Sequence, residues 1–404
     1  MPKAARSLPS NFAETQRMTT REHVESIFSW MVETRRHLHR HPEISFHEFE
    51  TADYISAKLT ELGIEHKRVA TTGIVAHVGT GSPCVALRAD IDALPMEEET
   101  GLEYASTRAG VMHACGHDMH TTMLLAAARL LKEQEHSLSG TVKLLFQPGE
   151  EKSPGGASMM IAEGALQNPT PSMVFGQHVY PDAPVGELGF VAGPMMAAAD
   201  ELYWTITGFG AHAAQPHQGR DPIMAASGLI HHLQTLITKR RNPLDAGVIT
   251  VTSIHGGTAT NIIPDVVEMK GTLRSFDQQW REQAWSFIEE QSKAYCALHG
   301  CVAEVTIVKG YPPLVNDENA VAFARNVAAK YSMTAADFEP KMWAEDFAFY
   351  TQVAPSCFWT LGARPAELDH MPGLHNPRFA PDEEAMITGA TMMVRVALEA
   401  LQNA

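Results

Sequence analysis

Apolar residues recur at helical spacing from Glu22 to Arg40 and again from Ala52 to Leu62. They then contract into Pro83-Cys-Val-Ala-Leu-Arg-Ala-Asp90, a run of strand length that ends in acids. Thr121 to Gln134 predicts a strong helix with Met123, Leu124, Leu130 and Leu131 on one face. Thr141-Val-Lys-Leu-Leu-Phe146 reads as a buried strand stopped by Pro148-Gly149, and Met173-Val-Phe175 as another that delivers Gly-Gln-His178. This βα alternation predicts an α/β fold. It sets Asp90, Glu150, Glu151 and His178 at or just beyond the carboxyl ends of strands, where open α/β sheets place their ligands.

Between Asp200 and Lys309 the rhythm changes. Strand signals at Glu201 to Thr207, Val248 to Ile254, Val266 to Arg274 and Val302 to Val308 alternate with helices at Pro222 to Thr238 and Gln278 to His299. That order, βαββαβ, is a split βαβ unit of domain size inserted into the larger α/β domain. The expected layout is a disordered lead-in over residues 1–20, a catalytic domain in two parts (21–198 and 311–404), and an inserted domain at 199–310. Whether Met1 or Met18 is the natural start is left open by the sequence.

Composition narrows the function. With 404 residues, 45% of them hydrophobic, the chain can bury two or three cores. A formal charge of -16, with no basic run longer than Lys239-Arg240-Arg241, argues against a nucleic-acid partner. Five scattered cysteines argue against a disulfide framework and for a reducing compartment, so a cytoplasmic protein is expected. No apolar stretch suggests a signal peptide or a membrane span.

The chemistry concentrates in His113-Ala-Cys-Gly-His-Asp118. A thiolate and an imidazole separated by one glycine can face one cavity if the chain turns sharply at Gly116, and both are metal ligands. Cys115 as a nucleophile with a histidine base, or as a small buried hydrophobe, are the rival readings. Glu150 and Glu151 are adjacent carboxylates after a buried strand, a costly arrangement unless cations neutralise it. Glu151 is assigned to the metal and Glu150 to the attacking water, against the blander reading of a solvated loop. His178 and His375, each among turn residues, complete a plausible ligand set, though singly either could be an ordinary loop residue. Asp90 could orient a ligand imidazole or simply cap a helix, and Asp92 is ranked below it. In the insert, His212 sits in a glycine-bounded loop, and Asn261 and Arg274 lie at strand ends. The Arg274 fork suits a free substrate carboxylate.

Taken together, Arg40-His-Pro-Glu43, Leu87-Arg-Ala-Asp-Ile-Asp-Ala-Leu-Pro95, Met112-His-Ala-Cys-Gly-His-Asp118, Phe146-Gln-Pro-Gly-Glu-Glu151, Gly210-Ala-His-Ala-Ala, Thr258-Ala-Thr-Asn-Ile-Ile-Pro264 and Leu374-His-Asn-Pro377 occur in order. With them the chain resembles the N-acyl-amino-acid amidohydrolase family, which includes hippurate hydrolases and plant auxin-conjugate hydrolases, within the di-metal exopeptidases that carry a dimerisation domain. The likeness runs from about Arg35 to the C-terminus. It implies a mixed-sheet catalytic domain with an inserted ferredoxin-like dimerisation or lid domain, and a homodimer or larger homo-oligomer formed through that insert. It implies two divalent ions per subunit, manganese or zinc foremost with cobalt or nickel as alternatives. Cys115 then stands at the bridging position, His117, Glu151, His178 and His375 fill the remaining ligand positions, and Glu150 matches the general base. His212 is implied to reach a partner subunit's active site and stabilise the oxyanion, with Asn261 and Arg274 contacting substrate. The expected reaction is hydrolysis of an N-acyl amino acid. The alternatives are a dipeptidase or aminopeptidase on the same metal core, a cysteine hydrolase, and a catalytically silent metal-binding protein.

Overall fold

The computed structural model describes Met18–Asn403, so the expected lead-in lies outside the described residues except for Met18, Thr19 and Thr20. The chain divides into two compact units. One comprises the chain up to Ala192, Asn316–Phe338 and Tyr350 onward, and the other comprises Gly193–Val315 with Glu339–Phe349.

The first unit is built on a mixed eight-stranded sheet. Its order is His66–Val69, Gly73–Gly79, Thr141–Gln147, Cys84–Asp90, Val174–Pro184, Ser356–Arg364, Leu188–Phe190, Ala335–Asp337. The central strands Thr141–Gln147, Cys84–Asp90, Val174–Pro184 and Ser356–Arg364 run parallel to one another. Thr141–Gln147 and Cys84–Asp90 are buried at every position, as expected of parallel strands covered on both faces. The helices His117–Glu133 and Ala385–Asn403 are buried nearly throughout their length in the same core.

Pairing register sets the level of the chemical groups. Asp90 is opposite Gln147, and Arg88 is opposite Gly176, so the chain leaves two neighbouring strands toward Asp92 and Glu150 at one edge. The third strand is longer than its apolar run suggests, Val174–Pro184, so His178 lies within it rather than beyond its end. Two other expectations need correcting. The apolar spacing from Glu22 to Arg40 is divided between helices Thr20–Ser26 and Phe28–Arg40. Val24, Ile27 and Met31 stay buried through the break, so periodicity alone does not register it. The helix expected from Thr121 begins at His117, because a left-handed Gly116 (φ 84°) supplies its N-cap position.

The second unit contains the βαββαβ order. Four antiparallel strands are arranged Gly247–His255, Val266–Ser275, Ala198–Thr207, Val302–Lys309. Residues along Ala198–Thr207 alternate between buried and more exposed positions. Leu202, Trp204 and Ile206 face a core shared with helices Pro222–Arg240 and Gln278–Leu298. Asp200 is buried here and accepts hydrogen bonds from Arg281 (Nε, 2.9 Å) and Trp285 (Nε1, 2.8 Å).

Candidate metal centre

The turn that brings the ligands together is dictated by Gly116. A Cβ there would lie 2.4 Å from Val179 Cγ2, and the positive φ is one that L side chains rarely adopt. With no side chain at the turn, Cys115 and His117 face one place. Cys115 Sγ lies 3.3 Å from His178 Nε2. His117 Nδ1 is 2.8 Å from the Asp92 backbone carbonyl, which can only accept, so Nδ1 carries the proton. That leaves His117 Nε2 buried with no hydrogen-bond partner. His178 repeats the device: Nδ1–H donates to Val179 O at 2.8 Å and Nε2 is turned toward Cys115. Two imidazoles whose outer nitrogens are anchored to carbonyls are set in the tautomer that ligates metals.

The carboxylates are positioned by the backbone that bears them. Glu150 N–H and Glu151 N–H donate to Asp92 Oδ1 (3.1 Å) and Oδ2 (3.0 Å). Glu151 Oε1 lies 3.0 Å from His375 Nε2 and 4.0 Å from His117 Nε2. His375 adopts φ 59°, and its N–H is held by Ala114 O at 2.9 Å, one residue before Cys115. The ligand atoms fall into three overlapping triads, Cys115-His117-His178, Cys115-Glu151-His375 and His117-Glu150-Glu151, each within 4.8 Å. All six predicted metal and base residues of this unit therefore meet in one place. The donor set, with its orphaned buried His117 nitrogen, fits divalent metal ions.

The electrostatics point the same way. Burial would drive His117 toward neutrality, but Asp90 and Asp92 outweigh it and raise its pKa to about 10. Burial and the charges of Glu151 and Glu150 push the Cys115 thiol well above its usual range. This cluster of carboxylates calls for positive charge, and without a cation it holds a proton instead. A nucleophilic cysteine needs an electropositive setting that lowers its pKa, so the surroundings of Cys115 argue against that reading.

Behind the ligands stands a buried layer. Asp90 accepts from His120 (Nδ1–Oδ1, 2.6 Å) and Arg88 (NH1–Oδ2, 2.6 Å), and His120 Nε2 accepts from Val179 N–H at 2.9 Å. Asp90 thus fixes His120 and lies 3.8 Å from His117 Nε2, whereas Asp92 supplies the direct contacts to His117 and to the two glutamate amides. Sequence reasoning ranked these two acids the other way and passed over His120. The His-x-x-His spacing of His117 and His120, which puts both on one helix face, was the available signal. On the same helix, directly after His117, Asp118 is fully buried against Arg35 (Nε, 2.8 Å) and His39 (Nδ1, 2.8 Å). Despite its burial, these cations hold Asp118 far below the ordinary carboxylate range.

The other three candidates lie in the second unit. His212 is exposed and pairs with Ile262, and Ala213 N–H donates to Asn261 O at 3.0 Å, so His212 and Asn261 are neighbours. Arg274 lies elsewhere, half-buried in the strand between Ala199 and Val248, with its guanidinium on the Thr272 hydroxyl and on Leu273 O (3.1 Å).

Comparison with known proteins agrees with this chemistry. The profile of "Peptidase family M20/M25/M40" matches residues 86–399. An N-acetyl-L-cysteine deacetylase of Bacillus subtilis is 43% identical over 376 residues, covering 92% of this chain and 88% of the relative. The IAA-amino acid hydrolase ILR1-like 4 of Arabidopsis thaliana is 41% identical over 378 residues, 92% of this chain and 85% of that one. Among solved structures, a dinuclear metal-binding peptidase of Bacillus subtilis, YXEP, superposes with a TM-score of 0.82 at 34% identity, covering 94% of this chain and 100% of the other.

Proposed function

Because the chain belongs to peptidase family M20/M25/M40 and is a metal-dependent amide hydrolase, we propose that it cleaves N-acyl amino acids, with an acetyl, aroyl or aryl-acetyl group, to a carboxylic acid and a free amino acid. The observation that carries the reading is the meeting of adjacent Glu150 and Glu151 with Cys115, His117, His178 and His375, the Nδ1 atoms of His117 and His178 being anchored to backbone carbonyls so that Nε2 faces the cluster. The names of the two relatives, which act on N-acetylcysteine and on indole-acetyl amino acids, support the substrate class.

Cys115, His117, Glu151, His178 and His375 would hold two divalent ions. Bound there, such ions acidify the attacking water and polarise the scissile carbonyl. Glu150 takes the water's proton on a carboxylate oxygen as the new C–O bond forms and the carbonyl becomes an oxyanion, and it then returns that proton to the amine nitrogen as the C–N bond breaks and the carbonyl re-forms. Asp92 keeps Glu150 and Glu151 in place through their amides and keeps the His117 proton on Nδ1, while Asp90 steadies the layer behind through His120. His212 of a partner subunit would stabilise the developing oxyanion, and Asn261 and Arg274 would bind the substrate. Residues 199–310 would form the dimerisation or lid domain, and residues 21–198 and 311–404 the catalytic domain. Among the metals, the Cys115 thiolate favours zinc, and the carboxylates and imidazoles accept manganese, cobalt or nickel. All five cysteines are unpaired, which fits a cytoplasmic setting. No described helix is long and apolar enough to cross a membrane.

The test is hydrolysis of N-acetyl, N-benzoyl and indole-acetyl amino acids before and after chelation, with Mn, Zn, Co and Ni restored singly. Glu150→Gln is run beside the wild type. Activity should vanish with chelation and return with metal, and the variant should bind metal yet lose about 10²–10⁴-fold in kcat. Turnover that persists in Glu150→Gln removes the general base assigned here.

A further inference from the structure

Three consecutive amides at the turn that carries the catalytic pair each donate to a buried carboxylate. Glu150 and Glu151 N–H go to Asp92, and Gly149 N–H goes to Glu48 Oε1 at 2.9 Å. Glu48 is fully buried, and nothing described so far uses it. The same Oε1 accepts Phe46 N–H at 2.9 Å, and Oε2 accepts the Thr72 hydroxyl at 2.7 Å.

The short segment Ser45–Glu48 reaches the turn along three routes. Besides Glu48 on Gly149, Ser45 Oγ–H donates to Asp92 Oδ2 at 2.6 Å, bracing the second carboxylate. The Phe46 ring closes over Gly149 as well. A Cβ on Gly149 would lie 2.2 Å from Phe46 Cε1, and both residues have positive φ (Phe46 66°, Gly149 57°). Phe46 is held in a conformation rare for a bulky residue, and such a conformation persists only where its surroundings over-determine it. The turn at Pro148-Gly149-Glu150 is therefore clamped from one side by an acid and a ring that sit far away in sequence.

We infer that Glu48 is a positioning residue for hydrolysis: by gripping the Gly149 amide it fixes the backbone from which Glu150 reaches the attacking water. The inference rests on Glu150 as general base. Glu48 touches neither substrate nor metal in this scheme, so its loss should reach kcat and leave KM and bound metal alone. A catalytic group misplaced by about 1 Å can lose 10²-fold in rate.

Glu48→Asp is the decisive variant, because it keeps the charge and withdraws the carboxylate by one methylene from Gly149. Glu48→Gln keeps an acceptor for Gly149 and Phe46 and a donor for Thr72. Steady-state kinetics, metal content per subunit and thermal unfolding are measured on both. Expected are a fall in kcat of about 10- to 100-fold for Glu48→Asp, with KM within about twofold and metal content unchanged, and rescue to within about threefold of wild type by Glu48→Gln. A folded Glu48→Asp enzyme with wild-type kcat overturns the inference. So does a loss of kcat matched by an equal loss of metal, or by unfolding in both variants. Glu150→Gln, assayed alongside, separates the two claims. If it stays active the base assignment fails, and if it is inactive while Glu48→Asp is unaffected, only the role of Glu48 fails.

Discussion

The two larger sheets of this protein handle polar groups in opposite ways. In the first unit the strands Cys84–Asp90 and Thr141–Gln147 are buried on both faces, and charges at their ends are enclosed with their partners. In the second unit Ala198–Thr207 buries alternate residues, and the candidate His212 is exposed on a separate two-stranded ribbon opposite Ile262. A sheet covered on both faces supplies a low-dielectric edge where ionisable groups acquire strongly displaced pKa values, and this is where the candidate metal and base residues meet. A sheet covered on one face leaves a surface on which side chains can meet a substrate or another subunit without distorting the core.

Breaking the buried side of the comparison should have the largest effect. Asp118→Asn takes the carboxylate away from Arg35 and His39 in a site closed to water and leaves Arg35 only Glu383 (3.2 Å) as a charged partner, so unfolding should show a loss of about 3 kcal/mol. The sign with pH follows from the lowered Asp118 pKa: its contribution is present above the ordinary carboxylate range and is lost as pH falls toward the folded-state value. An undiminished unfolding free energy in Asp118→Asn would mean that this buried pair is not what holds the helix at the site.

His212→Ala tests the exposed side and should behave oppositely. Its kcat should fall by about 10²–10³-fold, as for loss of one oxyanion donor, while the melting temperature stays within a degree or so of wild type. Unchanged kcat would exclude His212 from the reaction.

A smaller effect sharpens the electrostatic contrast. Burial and the charges of Glu151 and Glu150 keep the Cys115 thiol protonated at neutral pH when no cation is present, so binding as a thiolate must release a proton. His117, its pKa raised to about 10, must shed its Nε2 proton as well, so metal affinity should rise about a hundredfold per pH unit between roughly pH 6 and 8. A rise of only about tenfold per unit would show that Cys115 does not bind as thiolate. Smallest of all, Thr205→Ala, on the less buried face of the second sheet, should change stability by no more than about 0.5 kcal/mol, measured by denaturant unfolding.

Much of this contrast was legible in the sequence, because burial on two faces reads as a continuous apolar run and burial on one face as alternation. The candidate ligands could be picked out because thiol, imidazole and carboxylate at turns have few other uses in such density. What escaped depended on partners distant in the chain. Asp90 and Asp92 are the same residue type two positions apart. Only the fold reveals that one meets His120 and the other meets the amides of Glu150 and Glu151. His178 was set at a strand end because its apolar run is short, yet pairing with Ser356–Arg364 carries the strand on to Pro184. Glu48 carried no signal, since an acid before a helix ordinarily reads as a solvated cap.

The proposed ligands are spread from Cys115 to His375, on a helix start, a loop after one strand, the middle of another strand and a late turn. During synthesis no nascent fragment can therefore own the complete site: Cys115 and His117 emerge long before the histidine that closes it. Metal held by the full set therefore favours only a chain whose first unit is assembled from both of its distant parts, and its binding free energy adds to the stability of that assembled unit.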